Sequence, residues 1–176
     1  SSWFRRRGLP HAKTMRRAES KILSWDTLGQ LAAQWREAGL QVVLTNGCFD
    51  LLHVGHLRYL QAARELGDLL VVGVNSDESV RQLKGAPRPY RPETERAELV
   101  AGLECVDYVV IFPQPTAVEL VRLVQPTYYA KGGDYTEQDL PESEAVVEQG
   151  GFVVILPLEA EQSTTQLVEK IKSGEC

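Results

Sequence analysis

The sequence predicts one α/β domain with a Rossmann-like, doubly wound sheet of five parallel strands and helices on both faces. Two observations carry this prediction. Five short segments are largely apolar and do not alternate between apolar and polar residues, which is typical of strands buried on both faces of a sheet. Segments whose apolar residues recur at helical spacing separate them, and this alternation favours right-handed crossovers within a parallel sheet.

The elements follow one another from residue 24 onward. Apolar residues recur at helical spacing from Leu28 to Trp35, and Gly39 follows as a stop signal. Strands are predicted at 41–45, 69–74, 106–112, 127–131 and 152–156, and further helices at 57–66, 93–103, 116–124, 142–149 and 164–172. Ligands of such sheets bind beyond the carboxyl ends of the strands, so the loops 46–56, 75–92, 113–116, 131–141 and 157–164 are expected to hold the functional site.

The first 23 residues differ in composition from the rest. They contain RRR at 5–7 and RR at 16–17 but little apolar periodicity, so residues 1–23 are predicted to be a basic, mobile N-terminal segment. Residues 24–176 are predicted to form the single domain. Met15 is the one methionine, and it is either the natural start or part of a basic arm that contacts a partner. No apolar stretch follows the arginines, which argues against a secretory signal.

Charge and cysteine content restrict the partners and the compartment. The formal net charge of −5 argues against a nucleic-acid partner, which would require an excess of Lys and Arg. Three cysteines are too few for a disulfide framework and favour a reducing cytoplasm. No apolar run is long enough to span a bilayer, so no membrane association is expected.

The loop after the first strand reads TNGCFDLLHVGH at 45–56. His53 and His56 are three residues apart, so they share a face at the start of a helix, where free amides favour anions. Gly47 and Gly55 leave room for a ligand. Three interpretations of the histidine pair stay open at this point: phosphate binding, metal binding with Cys48 as a third ligand, or a purely structural role. Neither GxxxxGK[ST] nor GxGxxG occurs, so a P-loop and a dinucleotide cofactor are not indicated.

NGCFDLLHVGH resembles the GxFDxxHxGH signature of the cytidylyltransferase-like nucleotidyltransferases. The resemblance continues through GDLLVVGVNSDESVRQLKG, RPYRPETERAELVAGLECVDYVVIF, KGGDY and STT, in that order. Together these stretches are similar to the adenylyltransferase domain of ADP-heptose synthases. The resemblance implies in-line attack by an acceptor phosphate on the α-phosphate of a nucleoside triphosphate, which is catalysed by positioning and charge stabilisation.

The resemblance also implies the roles of individual residues. Catalytic roles go to His53, His56 and Lys84. Nucleotide-binding roles go to Asn46, Gly47, Cys48, Phe49, Gly55, His56, Lys131, Gly132, Ser163, Thr164 and Thr165. Acceptor-binding roles go to Asp50, Asn75, Asp77, Arg88, Arg96 and Asp134. No residue is expected to be a dedicated metal ligand, because Mg²⁺ should arrive with ATP and be held by phosphate oxygens and water.

Ordinary structural roles compete with several of these assignments. Asp50 could be a turn or cap carboxylate, and Lys84 a solvated loop lysine. Arg96 could form an exposed ion pair on its helix, and Asn75 and Asp77 could be turn and cap residues. The hydroxyl residues at 163–165 could simply cap the last helix.

The expected function is transfer of AMP from ATP to a heptose 1-phosphate. The alternatives are cytidylyl transfer to glycerol 3-phosphate or a similar polyol phosphate, another adenylyltransferase such as an FAD synthetase, and a nucleotide-binding module without catalysis. The resemblance implies a homodimer and a separate sugar kinase that supplies the acceptor. Two stretches depart from the family pattern, TEQDLPESEAV after KGGDY and Tyr128-Tyr129 in place of aliphatic residues, and both lie near the expected ligand side of the sheet.

Overall fold

Five parallel strands form one sheet in the computed structural model, which describes residues 15–133, 135–157 and 164–173. The strands are β1 (Val42–Gly47), β2 (Leu69–Asn75), β3 (Tyr108–Phe112), β4 (Tyr128–Gly132) and β5 (Phe152–Leu156). Their order across the sheet is β3-β2-β1-β4-β5, and all neighbours run parallel. The predicted five-stranded parallel sheet is therefore confirmed.

Helices connect the strands. They are α1 (Trp25–Glu37), α2 (Val54–Arg64), α3 (Asp77–Lys84), α4 (Glu93–Ala101), α5 (Val118–Val124), α6 (Ser143–Glu148) and α7 (Thr164–Ser173), with 3₁₀ turns at Ala18–Lys21 and Glu137–Asp139. The sequence prediction missed α3, because residues 75–92 were predicted as a loop. This helix begins after Ser76, whose side chain accepts a hydrogen bond from the Ser79 amide as an N-cap.

Alternate residues of the strands enter two apolar cores on opposite faces of the sheet. In β1, Val42 and Leu44 belong to the first core, which α1, α5 and α6 cover. Val43 belongs to the second core, which α2 and α4 cover. This alternation is what a sheet covered on both faces requires, and it confirms the doubly wound architecture.

The N-terminal part of the described chain packs against the domain. The Lys21 side chain is buried, and its ammonium donates hydrogen bonds to the carbonyl oxygens of Leu103 at 3.3 Å and Val106 at 2.9 Å. Ile22 forms a parallel bridge with Val109. The structure therefore differs from the predicted boundary at residue 24, because residues 18–23 belong to the domain. Residues 15–17 of the predicted mobile segment are also described, and Arg16 donates a hydrogen bond to the Asp107 carbonyl oxygen at 2.9 Å, whereas residues 1–14 lie outside the described residues.

None of the helices in the described part of the chain has the length and hydrophobicity that crossing a bilayer requires.

The strand order places a topological switch point between β1 and β4. From β1 the chain proceeds outward through β2 and β3, and it then returns to the other side of β1 to form β4 and β5. The connections on the two sides of β1 lead away from each other, which leaves a crevice beyond the carboxyl ends of β1 and β4.

Candidate active site

A cleft lies at this switch point and brings together half of the residues that the sequence singled out. Nine predicted residues line it: Asn46, Gly47, Cys48, Phe49, Asp50, His56, Lys84, Lys131 and Gly132. They come from the end of β1, the loop behind it, the start of α2, the end of α3 and the end of β4. Residues far apart in sequence therefore meet here because the carboxyl ends of parallel strands share one edge.

His53 and His56 cap the N-terminus of α2. The Nδ1 atom of His53 accepts a hydrogen bond from the Gly55 amide at 3.1 Å. The Nδ1 atom of His56 accepts one from the His53 amide at 3.3 Å. An imidazole nitrogen that accepts a hydrogen bond carries no proton, so in both neutral rings the proton lies on Nε2. The capping geometry therefore leaves each ring with an Nε2–H donor.

The two imidazole rings stack with their centroids 3.9 Å apart, and Phe49 contacts His56 edge to face at 5.4 Å. Burial, together with the nearby His53 and Lys84, lowers the pKa of His56 to about 4. Burial also lowers the pKa of His53. Both rings are consequently neutral near pH 7, as hydrogen-bond donors rather than cations.

The structure gives no support to the metal interpretation of the histidine pair. Among the described residues, no three His, Cys, Asp or Glu side chains are grouped so that they could hold a metal ion. The Cys48 thiol points to the Asn75 carboxamide oxygen, 3.9 Å away. The Nδ1 atoms already serve the helix cap, so only the Nε2 side of each ring can contact a ligand.

The loop behind β1 has an unusual backbone at Phe49, whose φ of 48° lies in the left-handed region. Such a conformation in a residue that is not glycine costs energy and is found preferentially at functional loops. The Phe49 ring is buried and covers Gly47. A Cβ atom at Gly47 would lie 3.0 Å from Phe49 Cε2, so the absence of a side chain at 47 allows the loop to close over β1.

Asp50 anchors the loop before α4. Its buried carboxylate accepts hydrogen bonds from Arg88 Nε at 2.6 Å, from the Tyr90 amide at 2.9 Å and from the Arg91 amide at 3.1 Å. Burial alone would raise the pKa of Asp50, but these hydrogen bonds outweigh it and lower the pKa. The carboxylate oxygens are thus engaged within the protein, although the residue lies at the edge of the cleft.

Arg88 is nine-tenths buried beside Asp50, and its guanidinium lies 5.0 Å from the centre of the Tyr90 ring. Its Nη2 atom is buried without a hydrogen-bond partner among the described residues. Arg88 is not among the residues that line the cleft. The structure therefore places it behind Asp50, where it holds the loop.

Arg96 does not have the exposed position that an acceptor-binding residue needs. It is completely buried. Its Nη1 donates to the carbonyl oxygens of Cys48 and Asn75, both at 2.7 Å, and its Nη2 donates to Asp77 at 2.8 Å. Arg96 thus joins three chain segments from within, and the predicted acceptor contact is corrected to a positioning role.

Asn75 and Asp77 belong to the same buried network. Asn75 is 4% exposed, and its Nδ2 donates to Ser79 Oγ at 3.2 Å. Asp77 is bound to Arg96, and its amide donates to Glu93 at 3.0 Å. Neither residue lines the cleft. The turn and cap interpretation describes both better than direct acceptor contact.

Two lysines face the cleft from opposite sides. Lys84 is exposed at the last turn of α3, not on a loop as predicted. Lys131 lies at the end of β4, and burial lowers its pKa although Glu142 and Cys48 oppose that shift. Both side chains provide donors that can meet an anionic ligand.

The site also contains three tyrosines to which the sequence analysis assigned no role. Tyr59 and Tyr135 line the cleft, and Tyr129 donates its hydroxyl hydrogen bond to Asn46. Tyr59 also bonds Thr45 and donates to the Ala130 carbonyl oxygen at 2.9 Å. Its position three residues after His56 places it on the same face of α2, but that spacing is equally typical of a core residue.

The remaining predicted residues cannot be placed in contact with the cleft. Gly55 is buried in the first turn of α2. Asp134 and Ser163 lie outside the described residues, as do the side chains of Thr164 and Thr165. Thr164 begins α7, in agreement with the predicted helix start, and the phosphate contacts of residues 163–165 stay predictions.

Comparison with known proteins shows where the chain belongs. The profile of the cytidylyltransferase-like family matches residues 44–170. The chain is 49% identical over 156 residues to the bifunctional protein HldE of Trichlorobacter lovleyi. This match covers 89% of the chain and 32% of that protein. The chain is 48% identical over 178 residues to HldE of a Bradyrhizobium species, covering 99% of the chain and 36% of that protein. The chain thus spans about a third of the length of these curated relatives.

Solved structures show the same fold. The lipopolysaccharide core biosynthesis protein of Thermoplasma volcanium is 28% identical with a TM-score of 0.58, and the match covers 70% of this chain and 99% of that one. A pantoate-beta-alanine ligase of Francisella tularensis, solved with beta-gamma ATP and beta-alanine, is 10% identical with a TM-score of 0.58, covering 88% of this chain and 78% of that one. The second similarity concerns the fold alone. Since the family profile extends over most of the chain, from within β1 into α7, the chain belongs to the cytidylyltransferase-like family and is a nucleotidyltransferase.

Proposed function

We propose that the chain transfers AMP from ATP to a heptose 1-phosphate, releases pyrophosphate and forms an ADP-heptose. The observation that carries this proposal is the cleft at the β1–β4 switch point, whose polar side chains are almost all hydrogen-bond donors. The choice of a heptose phosphate is supported by the HldE relatives and by the lipopolysaccharide core biosynthesis neighbour. It is also supported by the sequence stretches that resemble ADP-heptose synthases.

The cleft suits a triphosphate. His56 lines the cleft at the N-terminus of α2, where its Nε2–H group and the helix dipole both favour negative charge. His53 is not among the lining residues, and it stacks on His56 from beside the cleft. Lys84 and Lys131 add two ammonium groups from opposite sides. The single carboxylate that borders the cleft, Asp50, is neutralised by Arg88 and two backbone amides. An anionic ligand therefore meets donors and little uncompensated negative charge.

The same geometry fits a reaction without a general base. The acceptor phosphate oxygen attacks the α-phosphorus, the bond from the α-phosphorus to the bridging oxygen breaks, and pyrophosphate leaves with the electron pair. The attacking oxygen is already ionised near pH 7, so the protein has no proton to remove. His56 in particular has its Nδ1 engaged in the cap, so it acts as a donor to phosphoryl oxygens and not as a base.

Mg²⁺ is proposed to enter with ATP. The fit of the protein to this ion is indirect, because the carboxylates near the cleft are bound within the protein and the described residues offer no group of ligands. A hard cation held by phosphate oxygens and water needs no such group. When bound, the ion would neutralise part of the phosphate charge.

Binding of the acceptor is proposed at the cleft edge formed by Asp50 and the loop 85–91, and the resemblance adds Asp134 to the acceptor-binding residues. Arg88 fits an acceptor only if the loop opens, because it is nine-tenths buried here. A sugar phosphate acceptor requires a sugar kinase activity to supply it, and a homodimer is proposed by resemblance to relatives.

The test is pyrophosphate release with Mg²⁺, in which ATP and CTP are each combined with heptose 1-phosphate and glycerol 3-phosphate. We expect turnover with ATP and heptose 1-phosphate alone. His56→Gln is expected to lower kcat by about 100-fold, because it removes a donor that acts on the transition state. Lys84→Met should lower kcat/KM, whereas Lys172→Met, an exposed lysine of α7, serves as the matched control and should leave it unchanged.

Other results would lead elsewhere. Turnover with CTP and glycerol 3-phosphate would replace the proposal by cytidylyl transfer to a polyol phosphate. Calorimetric binding of ATP without turnover on any acceptor would favour a binding module that has lost catalysis. Full activity of His56→Gln would contradict the role given to the α2 N-terminus.

A further inference from the structure

We propose that Tyr129 is a positioning residue whose buried hydroxyl fixes the Asn46 carboxamide, so that the amide NH₂ group of Asn46 donates to the phosphates of the nucleotide. The inference rests on the proposed function for the identity of the ligand. It assigns a role to a residue that the reaction itself does not touch.

The geometry of the β1–β4 pair brings the two residues together. The backbone ladder pairs Val43 with Tyr128 and Leu44 with Tyr129. Asn46 lies two residues beyond Leu44, so its side chain is on the same face of the sheet as Tyr129 and on the diagonal from it. The Tyr129 hydroxyl reaches across and donates a hydrogen bond to Asn46 Oδ1.

Because Tyr129 is buried, its hydroxyl must be the donor and Asn46 Oδ1 the acceptor of this hydrogen bond. Tyr129 has no exposed surface and packs in the first core, so its hydroxyl proton cannot be given to bulk water. Asn46 Oδ1 is the acceptor that the described residues provide for it. If the carboxamide were flipped, the amide would present a donor to the hydroxyl, and the buried hydroxyl proton would lose its acceptor. A buried polar group without a partner is costly, so the orientation with Oδ1 toward Tyr129 is favoured.

The orientation of the Asn46 carboxamide determines which of its groups faces the cleft. Asn46 is half-buried and lines the cleft, so with Oδ1 engaged it offers Nδ2 and two protons to a ligand. The neighbouring groups are donors too, namely His56, Lys84 and Lys131. In the flipped orientation the same side chain would turn a carbonyl oxygen toward the phosphates and repel them. Tyr129 thus decides whether Asn46 assists or opposes anion binding.

The chain offers a matched control at the adjacent position. Tyr128 lies on the same strand with its side chain on the opposite face, where its ring contacts Phe152 with centroids 6.1 Å apart. Tyr128→Phe and Tyr129→Phe each remove one hydroxyl from β4 and keep the ring. Tyr129 bonds Asn46 and is fully buried, whereas Tyr128 is partly buried and has no hydrogen bond to Asn46.

The experiment measures the Kd of ATP and of inorganic tripolyphosphate by calorimetry, and KM for ATP together with kcat by pyrophosphate release. We expect Tyr129→Phe to weaken both ligands about tenfold and to raise KM for ATP by a similar factor, in the range of one lost hydrogen bond. Tyr128→Phe should change each value by less than about twofold, because it removes no contact with the cleft. Thermal unfolding of both variants shows whether they are equally folded.

A double-mutant cycle tests whether Tyr129 acts through Asn46. In an Asn46→Ala background, Tyr129→Phe should weaken ATP binding by less than about twofold, because the group it orients is gone. A further tenfold loss in that background would overturn the inference, as would wild-type affinity of the Tyr129→Phe variant or equal losses in the two tyrosine variants. Absence of ATP and tripolyphosphate binding by the unaltered protein would also overturn it.

Failure of the proposed function is distinguishable from these results. If the unaltered protein binds ATP but never turns over with a heptose 1-phosphate, the proposed reaction is wrong. The affinity ratios for Tyr129→Phe and Tyr128→Phe still decide the inference in that case.

Discussion

Arg96 Nη1 lies 2.7 Å from the Cys48 carbonyl oxygen and 2.7 Å from the Asn75 carbonyl oxygen, so one buried nitrogen joins the loop behind β1 to the end of β2. The same guanidinium reaches Asp77 at the start of α3 and the Arg91 carbonyl before α4. The loop behind β1, the turn from β2 into α3 and the segment before α4 are thereby held at fixed separations through four acceptors. A planar guanidinium with its fork of donors can satisfy all four, and an ammonium cannot.

Arg96→Met is expected to destabilise the protein by about 3 kcal/mol, because it leaves buried carbonyl oxygens and the Asp77 carboxylate without their donor. Arg96→Lys should recover only part of this loss. Urea unfolding gives the measurement, with Arg122→Met on the exposed face of α5 as the control for removing an arginine. Equal stability of the Arg96 and Arg122 variants would show that the network contributes nothing.

The His56 imidazole is expected to titrate with a midpoint near the pKa of about 4 that burial, His53 and Lys84 impose on it. Its NMR resonances should therefore be those of a neutral Nε2–H tautomer at pH 7 and should change only in acid. His53→Ala should raise the midpoint, because it removes a neighbouring group that disfavours the cation. An ordinary midpoint near 6.5 in the folded protein would contradict the burial of the ring.

The pH dependence of stability follows from the same shift. The folded-state pKa of His56 is below its ordinary value, so between about pH 6.5 and about pH 4 the unfolded chain binds more protons than the folded one. The contribution of His56 to the free energy of unfolding should therefore be fully present above about pH 6.5 and should be lost as the pH falls toward about 4. His56→Gln should flatten this part of the profile, and an unchanged slope in that variant would assign the acid sensitivity to other groups.

Asp50→Ala is expected to release the loop before α4, because the amides of Tyr90 and Arg91 lose their acceptor and Arg88 loses its counterion. Hydrogen exchange of these two amides should accelerate strongly, and stability should fall by about 2 kcal/mol. Asp50→Asn keeps one carbonyl acceptor and should give an intermediate result. The amides of β2 serve as the internal control, and unchanged protection at Tyr90 would contradict the anchoring role.

Gly47→Ala is expected to displace the Phe49 ring, since the new Cβ would lie 3.0 Å from Cε2 of that ring. The loop is already strained at Phe49, so we expect a loss of about 1–2 kcal/mol in stability and weaker ATP binding. Gly102→Ala is the matched control, because its Cβ would meet its nearest atom at an ordinary 3.4 Å. Wild-type behaviour of Gly47→Ala would show that the loop can adjust without cost.

The sheet was predictable because each strand is a short apolar run between turn signals. The fifth strand was predicted with the bounds that the structure shows, since Gly150 and Gly151 precede it and Pro157 follows it. The helix α3 was missed because it is mostly hydrophilic, and its buried residues Ser79 and Val80 are too few to reveal a period. Only the N-cap at Ser76 marked it locally.

At the site, the motif around His53 and His56 was predictable because neighbouring residues form it. The roles of Arg96 and Lys21 were not, because a charged side chain is buried only where distant carbonyl oxygens are available to receive it. Tyr129 was noticed as an unusual residue, but its hydrogen bond with Asn46 depends on the pairing of β4 with β1. Local sequence does not contain that pairing.

The ladder between β1 and β4 joins two residue pairs, whereas the one between β1 and β2 joins six and the one between β4 and β5 joins five. The hydroxyl groups of Tyr59 and Tyr129 add side-chain hydrogen bonds near this short β1–β4 ladder, to the Ala130 carbonyl oxygen and to Asn46 respectively. A ligand that contacts Gly47 and Gly132 together would fasten the two halves of the sheet across it. In a mechanical pulling experiment the empty protein should separate first along this line, and the occupied protein should resist a greater force before it parts.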